Sequence, residues 1–537
     1  MTRMHRFVLT FLTAFLSAPV FAQEVTGNIS GSVVDASGAA FAGANVTVIA
    51  TEQGLVVRTL QTNEVGLYSA TLLPVGTYSV AVEAAGFKKA RRDGIELHAN
   101  AKYTADFQLQ VGDVTQEVTV VAPELQVELQ TAQISALISG TQVRELALNN
   151  RHFAQLVALQ PGVSSNLSDQ IYLGATNPSG GNNIVGLAVN GARQSQNNWI
   201  VDGADNVDRG TNITIQQYPS IDAVEEIKII RSPYSAEFGR AGGGQISVIT
   251  KSGTNDWHGS AYEFVRNDKL NANNFFNNLN RIRRPALRYN DFGYTVGGPV
   301  NIPNVYDGRN KTFFFFSEEF RRVINYNANN VQIPTLEERQ GIFVNPVCTA
   351  LSADFSTCTD TGTRITNISP LAQAYIKDIF SKLPAPTDGN NLALPLRGVF
   401  NARQEIVRID HNIGQKLSLT GRFLHDSIPT IEPGGLFTNI FMPGVSTTKT
   451  NSPGRSLVIR GTSSLSSTLY NEAAWTWSRG GISSDPVGLA ATANSPDIKP
   501  ALVFYERGCQ ENISPPTGRR DAKPIVAASP ASVETIC

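Results

Sequence analysis

Past residue 22 the chain has no run of about 20 apolar residues free of charges or Gly/Pro breaks, so it has no segment able to cross a bilayer as a helix. What it has instead is alternation. Short segments of period two recur between turn residues: Gly31-Ser32-Val33-Val34-Asp35, Ala44-Asn45-Val46-Thr47-Val48 and Tyr78-Ser79-Val80-Ala81-Val82 early on. From Gly259 come Ser260 to Arg266, Glu405 to Asp410 and Leu417 to Phe423. A chain of this kind crosses a membrane as a β-barrel or does not cross it, because lipid satisfies no backbone hydrogen bond at an open sheet edge. A soluble β-sandwich is the competing reading of the same pattern. Charged residues make up only 17% of the chain, and 45 Gly with 27 Pro suit turns and strands more than helices. A net charge of -1 gives no electrostatic reason to expect a nucleic-acid partner.

Residues 1–22 read as a signal peptide: Arg3 and Arg6 begin it, an apolar stretch from Phe7 to Leu16 follows, and Val20-Phe21-Ala22 precedes Gln23 as a cleavage site. The chain is thus expected to leave the cytoplasm. Residues 23–111 carry the first alternating runs, with turns at Asp35 to Gly38, Asn63 to Gly66 and Leu73 to Gly76, and predict a small β-sandwich. Residues 112–127 form a linker around the β-branched run Glu117, Val118, Thr119, Val120 and Val121. That run suits either the last strand of the sandwich or a strand added to a partner's sheet edge.

Residues 128–255 predict a compact α+β domain, with short amphipathic helix through Leu137, Ile138, Val143, Leu146, Leu156 and Val157, then strands at 186–191, 198–203 and 225–230. Residues 256–537 predict the first part of an antiparallel barrel, with room for roughly six to nine strands at about 10 residues each. Trp475 and Trp477 sit in an alternating segment as an interfacial aromatic girdle would. The stretch from Arg322 to Arg403, with Cys348 and Cys358, predicts a long external loop stapled by a disulfide.

The candidate chemical motifs are weak. Asp202, Asp205 and Asp208 lack EF-hand spacing and read as a polar turn. The six His contain no HExxH, and the chain shows no GxSxG elbow and no GxxxxGK phosphate loop. Neither catalytic nor metal-binding residues are expected, and no cofactor. Arg231, Glu237 and Arg240 suit either ion pairs to a surrounding wall or simple solvated charges.

Several blocks resemble known families. Gly31 to Asp35, Gly43 to Val46, Thr62 to Tyr68, Leu73 to Tyr78 and Gly86-Phe87 are similar to the carboxypeptidase-regulatory-like, prealbumin-type sandwich. Residues 149–320 resemble the Oar-like TonB-dependent outer-membrane receptors. The resemblance is carried by Asn149 to Phe153, Leu159 to Val163, Val189-Asn190-Gly191-Ala192-Arg193 and Val201-Asp202-Gly203-Ala204-Asp205-Asn206. It continues through Ile221 to Glu226, Tyr234 to Arg240 (with Glu237 and Gly239), Thr250 to Asn255, Asn290 to Gly293, Gly297 to Val300 and Lys311 to Phe315.

The resemblance implies a mainly β protein made of signal peptide, periplasmic sandwich, α+β plug and partial transmembrane barrel, incomplete at its C-terminal end. It further implies uptake of a scarce saccharide, peptide or siderophore through the outer membrane, with the TonB complex, outer-membrane lipid and a small solute or oligosaccharide as partners. Glu117 to Val121 is then the expected TonB contact. The alternatives are a cell-surface adhesion or structural β-protein and a carbohydrate-binding accessory module.

Overall fold

The computed structural model describes residues 25–112, 117–121, 132–148, 151–165, 186–208, 212–234, 238–239, 241–273, 275–279, 281, 283–352, 356–386, 388–433, 444–466, 469–489 and 494–498. The proposed signal peptide and the residues from 499 onward lie outside them. No described helix is long and apolar enough to cross a membrane.

The first unit is a two-sheet sandwich. Its strands are β1 (Gly27–Val34), β2 (Asn45–Ala50), β3 (Leu55–Gln61), β4 (Leu67–Leu73), β5 (Gly76–Glu83), β6 (Lys89–Leu97), β7 (Lys102–Thr104), β8 (Phe107–Gln108) and β9 (Glu117–Val121). One sheet runs β4-β1-β7, with β8 also on β1, and the other runs β3-β2-β5-β6-β9. Alternation decides which side chains meet between the sheets: β1 buries every second residue, and Ile29 and Val33 pack against Val46, Val48, Val80, Val82 and Ile95. The Asn63 turn closes β3 to β4 through its side chain, which accepts from Val65 N (3.1 Å) and Leu67 N (2.8 Å). Gly66 is required there, at φ 72°, because a Cβ would lie 2.6 Å from Val33 O.

Of the two roles open to Glu117 to Val121, the fold takes the sandwich strand. It pairs in parallel with β6, Lys89 opposite Glu117 through Asp93 opposite Val121. It is nevertheless the edge of its sheet, and no described strand covers its other side.

The second unit is an α+β domain. Its main sheet, β10-β15-β16-β13-β14, uses β10 (Ile134–Ser139), β13 (Asn198–Val201), β14 (Ala204–Asp205), β15 (Val224–Ser232) and β16 (Gln245–Thr250). The pair β11 (Val163–Ser165) and β12 (Leu187–Val189) lies apart. Leu137 and Ile138, expected in a helix, lie in β10 opposite Lys228 and Ile227. The helix starts only at Gly140, where Ser139 and Gln142 form a capping box. Tertiary pairing with β15 overrides the three- and four-residue spacing. Ile227, Ile229, Ile246, Val248, Trp199 and Phe153 form the core.

The third unit is one antiparallel sheet whose seven main strands run in chain order: β17 (His258–Asn267), β18 (Leu287–Pro299), β21 (Thr312–Gln332), β24 (Asn391–Ile413), β25 (Leu417–Ser427), β28 (Gly454–Ser464) and β29 (Tyr470–Gly480). Short β19 (Asn301–Ile302) and β20 (Tyr306–Asp307) close one turn, and β26 (Thr430–Glu432), β27 (Thr448–Asn451) and β30 (Ser483–Pro486) form a side branch in which β26 pairs with β24, β27 with β26 and β30 with β27. The described strands do not close into a cylinder.

The stretch from Arg322 to Arg403, expected as a loop with few strands, instead carries the ends of the 21-residue β21 and the 23-residue β24. Between them lie the hairpin β22 (Ile342–Leu351) and β23 (Cys358–Arg364) and the helix Pro370–Asp378. Cys348 and Cys358 are joined by a disulfide across this hairpin, with Cα atoms 5.7 Å apart. On the outer face Phe292, Phe423, Ile409, Ile459, Trp475 and Trp477 are exposed, while on the inner face Phe315, Ile406 and Leu424 join the core of the α+β domain. The curved sheet therefore wraps the second unit.

Candidate functional site: the plug against the barrel wall

The hairpin between β13 and β14 has only Asp202 and Gly203 between its paired ends, both at positive φ (48° and 81°). This is the primed two-residue turn that an Asp-Gly pair favours, because its twist matches that of the strands. The turn aims the Asp202 carboxylate at the wall. There it accepts from Thr250 N (2.9 Å), Thr250 Oγ1 (2.8 Å) and Arg422 Nε (3.0 Å). Arg422, fully buried on β25, also donates to Val201 O (2.7 Å) and to Ser456 Oγ.

Two further inward arginines complete the clamp. Arg408 of β24 donates to Thr250 O (2.7 Å) and pairs with Asp410 (2.9 Å), and Arg460 of β28 donates to Asp202 O (3.2 Å) and lies 3.6 Å from Glu472. Three guanidinium groups from three successive strands thus hold one end of the plug sheet, each balanced by a carboxylate. Charges this deeply buried persist only when paired and hydrogen-bonded in this way.

A second node centres on Glu319 of β21, which accepts from Ser220 Oγ (2.7 Å), Tyr262 OH (2.8 Å) and Arg321 Nη2 (3.4 Å). Arg321 also pairs with Asp291 (3.0 Å). Arg151 of the plug pairs with Asp222, lies 4.0 Å from Glu319, and stacks over Tyr262 and Phe264 at 4.5 and 4.1 Å. At a third point Asp426 of β25 accepts from Tyr218 N (3.1 Å) and Gly454 N (2.7 Å). A side chain at Gly454 would press its Cβ to 2.3 Å from Gln216 O, so the plug backbone comes this close only to a glycine.

Within the plug, burial and the nearby Arg321 hold the His152 imidazole down at about 3, so it is neutral at ordinary pH. Its Nδ1 accepts from Ala154 N (3.0 Å) and its ring stacks on Phe153. Burial pushes the Glu225 carboxyl up and pulls the Lys251 ammonium down.

The other plug-motif residues named from the sequence are structural. Asn190, at φ 52°, donates from Nδ2 to Arg231 O (3.1 Å) and forms a turn with Gly191. Arg193 N donates to Gln196 Oε1 (3.0 Å). Asp205 lies in β14 opposite Ile200, and Asn206 exchanges two hydrogen bonds with Gln217 (2.8 and 2.9 Å). Gly239 lies in an irregular stretch, while Glu237 and Arg240 fall outside the described residues. Arg231 donates to Pro161 O within the plug. Arg408, Arg422, Arg460, Glu319 and Asp426 were not singled out from sequence. In the sequence each is one charged residue of an alternating strand, on the same face as apolar residues such as Phe315, Ile406 and Leu424.

A sandwich, a plug and a membrane-type sheet wrapped round that plug define the class: an outer-membrane β-barrel with an internal stopper. Comparison with known families agrees. The outer membrane beta barrel domain matches residues 249–517, the carboxypeptidase regulatory-like domain residues 28–110, and the TonB-dependent receptor plug domain residues 126–245. The TonB-dependent transporter Oar of Myxococcus xanthus is 27% identical over 321 residues, which cover 56% of this chain and 27% of that protein. The chain thus spans about a quarter of its curated relative's length.

Among solved structures, the outer membrane transporter YddB of Escherichia coli is 10% identical at a TM-score of 0.39, covering 64% of this chain and 38% of that one. The alcaligin receptor FauA of Bordetella pertussis is 10% identical at 0.31, covering 67% and 50%. Both likenesses are too distant to add to the assignment. The chain belongs to the outer membrane β-barrel family and is similar to the Oar-like TonB-dependent receptors.

Proposed function

We propose that the chain belongs to an importer that takes up a scarce solute, of the saccharide, peptide or siderophore class, through its plugged barrel on energy from TonB. The observation that carries this reading is the character of the plug–wall contact. Asp202, Thr250 and Ser220 meet the wall through hydrogen bonds and ion pairs to Arg422, Arg408 and Glu319, rather than through apolar contact alone. Polar contacts are remade with water once the plug moves, so this stopper is displaceable at a cost that mechanical work covers.

In the same reading residues 1–22 are a leader, 23–111 the periplasmic sandwich, 128–255 the plug and 256–537 barrel, and Glu117 to Val121 contact TonB. A β-branched strand at a sheet edge, with no described strand on its outer side, is a template for strand addition. The test is a pull-down of the chain by purified periplasmic TonB domain, native against Val118→Pro, which removes a strand donor. Binding that is lost in the Pro variant supports the reading. If neither form binds, the TonB contact fails at this segment, and a passive surface or adhesion role moves ahead.

A further inference from the structure

A cavity of about 790 Å³ lies where sandwich, plug and barrel meet, lined from the three units by residues that include Glu96, Arg144, Glu225, Lys251 and Arg408. The sandwich closes one side of it and is fastened at two places. On the plug side, the buried Glu226 of β15 accepts from Ala99 N (2.8 Å) through one oxygen, and the other lies 2.7 Å from His98 Nδ1. Val25, Ala99, Ile249 and Val75 pack beside this joint. On the barrel side, Asn255 donates to Gln53 O (2.5 Å) and Glu52 O (3.2 Å) of the β2–β3 turn, and accepts from Asn310 N (2.9 Å). Arg58 of β3 lies over the Tyr470 ring, 5.3 Å from its centre.

The connectivity links the plug-side fastening to the edge strand. β9 pairs with β6 from Lys89 to Asp93, and β6 runs on to Leu97, directly before His98 and Ala99. Past β9 the chain continues to β10, whose last residue, Ser139, stands opposite Glu226. A load on β9 is therefore applied to a body that Glu226 joins to the plug. We infer that the sandwich is a gate across the inner mouth of the lumen, latched to the plug by Glu226 through His98 and Ala99, and that load on β9 opens the latch. The inference rests on the proposed TonB contact for its trigger, while the latch itself stands on geometry alone.

Hydrogen–deuterium exchange on the whole chain separates the two. Glu226→Ala should speed exchange of residues 97–101 about tenfold or more, the consequence of removing a buried charged acceptor, with residues 44–50 of the sandwich core unchanged as the folding control. His98→Ala, altering only the sandwich partner, should give a smaller change of the same sign. Glu226→Gln, which keeps an acceptor for Ala99 N, should stay near the native rate. Adding purified periplasmic TonB domain to the native chain should protect 117–121 and speed 97–101. Unchanged exchange at 97–101 in both Glu226→Ala and His98→Ala overturns the latch. Protection of 117–121 by TonB without any change at 97–101 overturns the gate. If TonB leaves 117–121 unprotected, the coupling strand fails and the trigger with it, whereas faster exchange in Glu226→Ala still supports the latch.

Discussion

The sharpest test of the plug–wall contact is a double-mutant cycle on Asp202 and Arg422. Asp202 is 6% exposed and Arg422 1%, and they meet at 3.0 Å. Arg422→Met leaves Asp202 with its two Thr250 donors and strips Val201 O of the Arg422 donor. Removing one partner of a buried pair costs about 3–5 kcal/mol. That should raise the opening equilibrium around Thr250 by roughly a hundredfold to a few thousandfold, at tenfold per 1.4 kcal/mol. Asp202→Asn strands Arg422 in turn, beside two further cations, Arg408 and Arg460, that repel it. Asp202→Asn with Arg422→Met removes both charges and should cost well under the sum of the two single changes, with a coupling of about 2 kcal/mol or more. The assay is hydrogen exchange at residues 198–206 and 245–251, repeated at high salt, where a buried pair is screened little. Additivity of the two single changes within about 0.5 kcal/mol would refute the view that this pair clamps the plug.

Three further outcomes are expected. The His152 pKa in the folded chain, about 3, lies below the ordinary 6.5, so the unfolded chain takes up the proton first. Stability should then be full above pH 6.5 and fall as pH drops from there toward 3. A plug-unfolding titration should show this component, and His152→Phe should flatten it. Gly31→Ala would place a Cβ 1.9 Å from the Ala105 carbonyl oxygen and should destabilise the sandwich by about 1–3 kcal/mol, read as a lower melting temperature. Tyr262→Phe removes the hydroxyl that donates to Glu319 at 2.8 Å and should loosen the plug by about 1.5–3 kcal/mol, seen as faster exchange near Ser220, while a change below about 0.5 kcal/mol would show that Ser220 and Arg321 suffice.

By itself the sequence determined the class of architecture. Period-two alternation, Gly and Pro turns and the lack of a second long apolar run leave β-sheet as the way to cross a membrane, and Asp202-Gly203 specifies its own turn because local φ preferences act within two residues. Short-range rules fail where pairing across the chain wins. Leu137 and Ile138 join β10 because β15 offers a ladder, and Arg322 to Arg403 extends two long strands because each pairs with the other over 21 residues. The clamp was illegible for a related reason. Arg408, Arg422 and Arg460 are ordinary alternating positions in separate strands, and only barrel curvature around the plug brings them to Asp202 and Thr250. Tertiary structure likewise decided that Glu117 to Val121 is a strand paired to Lys89 to Asp93 at a sheet edge, and that His98 and Ala99 meet Glu226, 127 or more residues away. Contacts at such separations depend on how whole units dock, which local pattern does not encode.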